Sequence, residues 1–186
     1  MLRKIKFKEF KKLYRKNIIR DFPKNERPNL ENFRKRILTN KEEVYIFEEE
    51  GIEKGYSIIA QLENYIFVDF LATYKESRGQ GVGTKIIKEL IEKYPNYNIL
   101  LEVEDPKFAK DEKEKSIREK RIKFYEKSNF KMIKELQIKY SDLVIFKLMI
   151  FSIKEQNIQE IREEIKNFYS KILNKKILRR IEIKDI

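Results

Sequence analysis

The stretch Arg78-Gly79-Gln80-Gly81-Val82-Gly83-Thr84 holds three of the protein's five glycines. A chain this poor in glycine keeps them where a side chain would obstruct the backbone. On the N-terminal side runs Tyr65–Thr73, aromatic and β-branched, with the composition of a strand. On the C-terminal side Val82, Ile86, Ile87, Leu90, Ile91 and Tyr94 recur at helical spacing. The loop therefore joins a strand to a helix. Successive N–H groups at a helix N-terminus, with its partial positive charge, suit phosphate oxygens. A tight turn that needs glycine for geometry alone is the other use of such a cluster.

Spacing discriminates among phosphate loops. A Walker A loop needs GxxxxGK followed by Ser or Thr, and no glycine stands five positions before Gly83. A dinucleotide fingerprint needs GxGxxG, but the third position after Gly81 is Thr84. It should also open a parallel βαβ unit, with an acidic residue about 20 positions on. Here the preceding strand comes third in an antiparallel series.

That series is read outward from the loop. Residues 2–6 suit a first strand, and Phe10, Leu13, Tyr14 and Ile18 suit a helix after it. The segment Phe22–Pro28 carries two of the four prolines and reads as a loop. Leu30, Phe33, Ile37 and Leu38 stand at i, i+3, i+7 and i+8 and predict a second helix with these four on one face. Val44–Phe47 and Tyr56–Leu62 read as strands joined by a Glu-rich turn through Gly51 and Gly55, and Glu63-Asn64 turns into Tyr65–Thr73.

Beyond the loop helix, which Pro95-Asn96 ends, Ile99, Leu101 and Val103 alternate with Leu100, Glu102 and Glu104 as in a strand. A charged stretch from Asp105 to Lys115 leads into a helix ending near Ser128-Asn129, with Asn129 suited to a left-handed cap. Phe130–Ile138 and Leu143–Ile150 read as a closing hairpin. Ile158, Ile161, Ile165, Phe168, Tyr169, Ile172 and Leu173 mark an amphipathic tail helix that covers the sheet, forms a homodimer interface or docks a partner. The fold class is α/β in the α+β sense. A mixed, mostly antiparallel sheet is flanked by helices in a domain over residues 1–150, and residues 151–186 form a helical extension.

Inventory removes whole classes of chemistry. The chain of 186 residues has no cysteine and no histidine, so disulfides, thiolate or imidazole metal sites and histidine triads are excluded, and no metal is expected. No apolar window of about 18 residues suggests a membrane span, and the N-terminus lacks the apolar core of a signal peptide. A cytoplasmic protein is the expectation. The formal charge of +12 raises nucleic acid as a partner, but the positive residues form no dense tract and abundant glutamate is interspersed.

The loop resembles the Arg/Gln-x-x-Gly-x-Gly/Ala signature of the GNAT superfamily of N-acetyltransferases, matched by Arg78, Gly81 and Gly83. A second block, Phe124-Tyr125-Glu126-Lys127-Ser128-Asn129-Phe130, is similar to that family's helix-end pattern, usually Tyr-Glu-x-x-Gly-Phe. The resemblance covers roughly residues 1–150. It implies a GNAT-like acyl-CoA N-acyltransferase fold, with acetyl-CoA as co-substrate and an amine as acceptor. Backbone amides of Gln80 to Thr84, with Arg78, Gly79, Gly81, Val82 and Gly83 in the same loop, would cradle the CoA pyrophosphate. The main chain of Leu71 and Thr73 would hold the pantetheine arm, and N–H near Leu71-Ala72 would meet an oxyanion. Three positions depart from the pattern: Asn129 for the usual glycine, Arg118 for a frequent Asn, and Arg121 for a small residue.

Acetyl transfer to an amine needs an uncharged nucleophile, a polarised thioester carbonyl and a proton for the departing thiolate. Tyr125 matches the family's position for the acid, and an ordinary tyrosine pKa near 10 suits it; the alternative is a core aromatic beside Phe124. Arg118 shares a helix face with Arg121, Ile122 and Tyr125, and either meets a CoA phosphate or projects its head into solvent over a buried stem. With no histidine, the base is a carboxylate, a tyrosine or a water chain; the carboxylates on offer are Glu104 at its strand end, on one strand face with Glu102, and Asp69 in an otherwise apolar strand. Carboxylates near the site favour a cationic amine such as a polyamine, an aminoglycoside or a peptide amine, and Glu26 and Arg27 are placed on the acceptor side. The alternatives are a CoA-binding regulatory module without catalysis and, ranked last, a basic nucleic-acid-binding protein.

Overall fold

The computed structural model describes the whole chain except Asn25, residues 141–143, Glu155 and Ile186. Its contacts divide into two compact units, residues 1–61 with 68–93 and residues 62–67 with 94–186. The described strand registers are all antiparallel, and helices flank them, so the α+β expectation holds. Among the described residues no helix is long and apolar enough to cross a membrane.

In the first unit β1 (Leu2–Ile5) pairs with β2 (Glu43–Glu49), which pairs with β3 (Ile52–Gln61). Glu50 and Gly51 make the β2–β3 turn, both with positive φ, at 54° and 74°. Gly55, expected in that turn, lies inside β3. A Cβ there would stand 2.8 Å from the Ala72 carbonyl oxygen and 2.9 Å from Ile86 Cδ1, so it is a point of close approach. The strand β4 (Tyr65–Thr73) contributes its residues from Val68 onward to this unit.

One face of these strands is covered by α1 (Phe7–Leu13), a π-helical turn at Tyr14–Ile18, α2 (Ile19–Asp21) and α3 (Leu30–Leu38). Asn29 caps α3 by accepting the Asn32 N–H at 2.8 Å. Phe33 is fully buried, its ring 5.1 Å from Phe10, 5.9 Å from Tyr14 and 5.6 Å from Phe70. Burying such a side chain contributes about 1.5–3 kcal/mol. The expected four-residue apolar face is only partly right. Leu38 is 56% exposed, and Arg36 is buried in its stead. The helix α4 (Val82–Lys93) buries Val82, Ile86, Ile87 and Leu90 as its spacing predicts.

In the second unit β5 (Asn98–Glu104) pairs with β7 (Val144–Phe151), β7 with β6 (Lys131–Tyr140), and β6 with β8 (Ile181–Asp185). The hairpin expected to resume at Leu143 has that residue outside the described ones, and β7 is seen from Val144. Asp111 caps α5 (Glu112–Glu126), and Asn129 closes it at φ 65°, the left-handed conformation its sequence position suggested. The tail holds more than the one helix expected. After α6 (Ile158–Ile172) come a short α7 (Lys175–Leu178) and β8. The α6 stripe covers residues of its own unit: Phe168 stacks on Phe67 at 3.9 Å, and the Tyr169 hydroxyl donates to Glu102.

Candidate active site

A single 3-10 turn at Lys75–Ser77 follows β4, and the loop then leads into α4. Gly79 and Gly81 take φ of +76° and +73°, where other residues are strained. A Cβ built on either would meet nothing within 4 Å, so conformation and not crowding selects glycine here. The first N–H at this helix end to find a backbone acceptor is that of Lys85, on Gly81 O at 3.1 Å. Among the described residues, the N–H groups of Gly79, Gln80, Gly81, Val82, Gly83 and Thr84 have no such partner. Gly79, Gln80, Gly81 and Thr84 are exposed. Donors without acceptors, on open backbone at the N-terminus of a 12-residue helix, fit a pyrophosphate in both charge and space.

Arg78 is half-exposed, with Nη2 3.4 Å from Asp21 Oδ1. The buried Asp21 carboxylate also accepts from the Tyr56 hydroxyl at 3.1 Å and from Arg20 Nε at 3.0 Å. Burial, then the Asp21 charge, raises the Tyr56 hydroxyl above the usual tyrosine range. Sequence reasoning missed Asp21, since nothing in the chain order brings it to Arg78. Leu71, Ala72 and Thr73 at the end of β4 are half-buried. Arg27, expected on the acceptor side, donates to the Phe22 carbonyl at 3.0 Å and the Tyr14 hydroxyl at 2.7 Å.

Asp69 belongs to a buried charge cluster. Arg36 Nη1 stands 3.0 Å from Glu42 Oε1 and 3.6 Å from Asp69 Oδ2. Glu42 is 1% exposed and Arg36 7%. Burial, and then the neighbouring Asp69, push the Glu42 carboxyl well above the usual carboxylate range against the pull of Arg36. Burial raises Asp69 too, opposed by Arg36 and by a hydrogen bond from Glu42. Glu42 and Arg36 were also missed. The available signal was Arg36 at i+3 from Phe33 on an apolar helix face, to be matched with an acidic residue in an apolar strand.

The second unit carries the other candidates. Tyr125 is 8% exposed, its ring 4.9 Å from Phe124 and 5.6 Å from Phe130. Burial pushes its hydroxyl up to about 12, with the Arg121 charge opposing, so it keeps its proton at neutral pH. Glu104 is held by two guanidiniums: Arg121 Nη1 at 2.6 Å from Oε2 and Arg118 Nη2 at 3.2 Å from Oε1. The Arg118 head does not project into solvent. It is buried, donating to Asp105 O and Glu114 Oε1, both at 2.8 Å.

The family model described as acetyltransferase (GNAT) domain matches residues 40–132. "Putative acetyltransferase YjbC" of Bacillus subtilis (strain 168) is 31% identical over 141 residues, which cover 73% of this chain and 69% of that protein. Among solved structures, a GNAT-family protein from Bacteroides thetaiotaomicron superposes with a TM-score of 0.77 at 20% identity, over 92% of this chain and 97% of its own. The ribosomal-protein-S18-alanine N-acetyltransferase of Escherichia coli gives 0.60 at 15% identity, over 85% and 96%. Both structures share the fold.

Proposed function

Because this chain belongs to the GNAT acetyltransferase family, we propose that it moves the acetyl group of acetyl-CoA directly to the primary amine of a small molecule or peptide. The observation that carries the reading is the run of backbone N–H groups from Gly79 to Thr84 without backbone acceptors at the start of α4, with Gly79, Gln80, Gly81 and Thr84 exposed. Bound acetyl-CoA supplies the acetyl group as a thioester, whose carbonyl carbon is open to an uncharged amine nitrogen. The N–H groups of Gln80 to Thr84 hold the pyrophosphate, and Arg78 adds a cation. The main chain of Leu71 and Thr73 holds the pantetheine arm, and N–H near Ala72 faces the carbonyl oxygen.

Tyr125, protonated at neutral pH, gives its proton to the departing sulfur. Asp69 takes the proton of the acceptor ammonium. It is preferred over Glu104 because both Glu104 oxygens already face guanidiniums. Arg118, with both terminal nitrogens engaged inside its unit, positions Glu104 and the start of α5 and does not serve as a phosphate ligand. A cationic acceptor suits a carboxylate base. The E. coli relative's alanine substrate adds a peptide N-terminus to the polyamines and aminoglycosides to be screened.

The test is calorimetric titration with acetyl-CoA, followed by thiol release with those amines. Saturable binding that Gly81→Trp abolishes is expected, because Trp at φ +73° is strained and covers the donors. In the same assay Tyr125→Phe should keep cofactor affinity and lose turnover by about 10²-fold or more. No binding at millimolar acetyl-CoA overturns the reading.

A further inference from the structure

Two carboxyls and one guanidinium meet inside the first unit, and the reaction above uses only one of the three. With both carboxyls ionised the cluster would carry a net charge of −1 in a place where Glu42 is 1% exposed and Arg36 7%. Glu42 Oε2 and Arg36 Nε, both buried, have no hydrogen-bond partner among the described residues. The Glu42 and Asp69 carboxyls face the same Arg36 Nη1, at 3.0 Å and 3.6 Å, and one such guanidinium balances only one of the two charges, so a proton on either carboxyl would neutralise the cluster. Burial decides which one, since ionisation costs more at the more enclosed site. The Asp69 side chain is 19% exposed and that of Glu42 is not exposed at all, so the proton sits on Glu42. The orphaned Glu42 oxygen is thereby a donor toward Asp69.

We propose that Glu42 is a positioning acid for acetyl transfer, donating a hydrogen bond to Asp69 that aims the free Asp69 oxygen at the acceptor ammonium. This rests on the role given to Asp69 above. In the step, an ammonium N–H bond breaks and an O–H bond forms on Asp69, while Glu42 keeps its own proton. The freed nitrogen lone pair forms the N–C bond, the C–S bond breaks and the sulfur takes the Tyr125 proton, while the second N–H proton shed by the now cationic nitrogen restores Tyr125. Asp69 later returns its proton to solvent through its exposed edge. The charged groups facing Glu42 are Arg36 on α3 and Asp69 on β4. When Glu42 ionises at alkaline pH, two carboxylates face each other, Asp69 is turned away, and turnover falls.

The test follows the side-chain carboxyl carbons of the intact chain by NMR from about pH 5 to about pH 9, with kcat measured over the same range. A carboxyl still protonated at neutral pH, absent from Glu42→Gln, is expected. The alkaline limb of kcat should move up by about one pH unit or more in Glu42→Gln, whose amide donates without titrating, with acetyl-CoA affinity unchanged. Asp69→Asn serves as the second variant and should lose turnover. A chain that turns over but has every carboxyl ionised at neutral pH, or a Glu42→Gln profile that superposes on the wild type, overturns the proposal. A protonated carboxyl in a chain that releases no thiol with any amine upholds the pair and refutes the acetyltransferase reading instead.

Discussion

Two arginine–carboxylate clusters in this molecule carry different balances of charge. In the first unit a single guanidinium, Arg36, faces two carboxyls, Glu42 and Asp69. In the second unit two guanidiniums face two carboxylates: Arg118 and Arg121 hold Glu104, and Arg118 also holds Glu114. The first is short of positive charge and enclosed, a shortage that the proton proposed on Glu42 meets. In the second the charges are matched, and Glu104 serves there as an ionic anchor between the end of β5 and α5. A carboxylate in a candidate site is therefore judged by the count of charges around it, and not by its position at a strand end.

The contrast is broken most directly by removing the lone cation. Arg36→Met keeps the bulk of the stem but leaves Glu42 and Asp69 without a counter-charge. Breaking a buried pair from one side costs about 3–5 kcal/mol. The urea midpoint should fall accordingly at an unchanged slope. A loss below about 1 kcal/mol would mean that the two carboxyls neutralise themselves without Arg36, and the two clusters would then differ only in exposure.

A smaller effect sharpens the contrast through pH. The folded pKa of Glu42 lies above its unfolded value because of burial and the Asp69 charge. Its contribution to stability is therefore fully present below the unfolded glutamate value, about 4.3, and is lost as pH rises through the folded value. Glu42→Gln cannot ionise. Thermal unfolding should show the variant overtaking the wild type as pH rises from mildly acid to alkaline, with the least advantage at the acid end. A constant difference across that range would remove the proton from the account of this cluster.

What the sequence made legible was local. The glycine loop, its flanking strand and helix, and the left-handed Asn129 are each fixed by spacing within a few residues, and each stands where expected. Gly55 was misplaced because glycine signals both a turn and a close approach, and only the position of Ala72 and Ile86 separates the two. Leu38 was assigned to the buried face because apolar periodicity gives no weight to an arginine. Arg36 takes that place because Glu42 and Asp69 await it. The strand β8 depends on a partner, β6, some forty residues earlier, and Ile181, Ile183 and their neighbours are too few to declare a period alone. Of the candidate site, the glycine loop was readable and the charge partners were not, since pairing across the fold leaves no trace in spacing.

The smallest expected effect lies in the second cluster. Arg121 Nη1 approaches Glu104 Oε2 at 2.6 Å, yet the Arg121 side chain is 45% exposed whereas that of Arg118 is 7%. Distance alone ranks Arg121 first; exposure ranks it second, because solvent screens its charge and ordering a long side chain offsets much of the gain. Arg121→Ala should therefore cost about 1 kcal/mol or less, and a double-mutant cycle with Glu104→Gln should return a coupling of about 0.2–1 kcal/mol. The neighbouring Arg118, buried and bonded to Asp105 O, continues to hold Glu104 when Arg121 is gone. A coupling above about 2 kcal/mol would place Arg121 on the same footing as the buried Arg36 pair, and the balance of charge would no longer distinguish the two clusters.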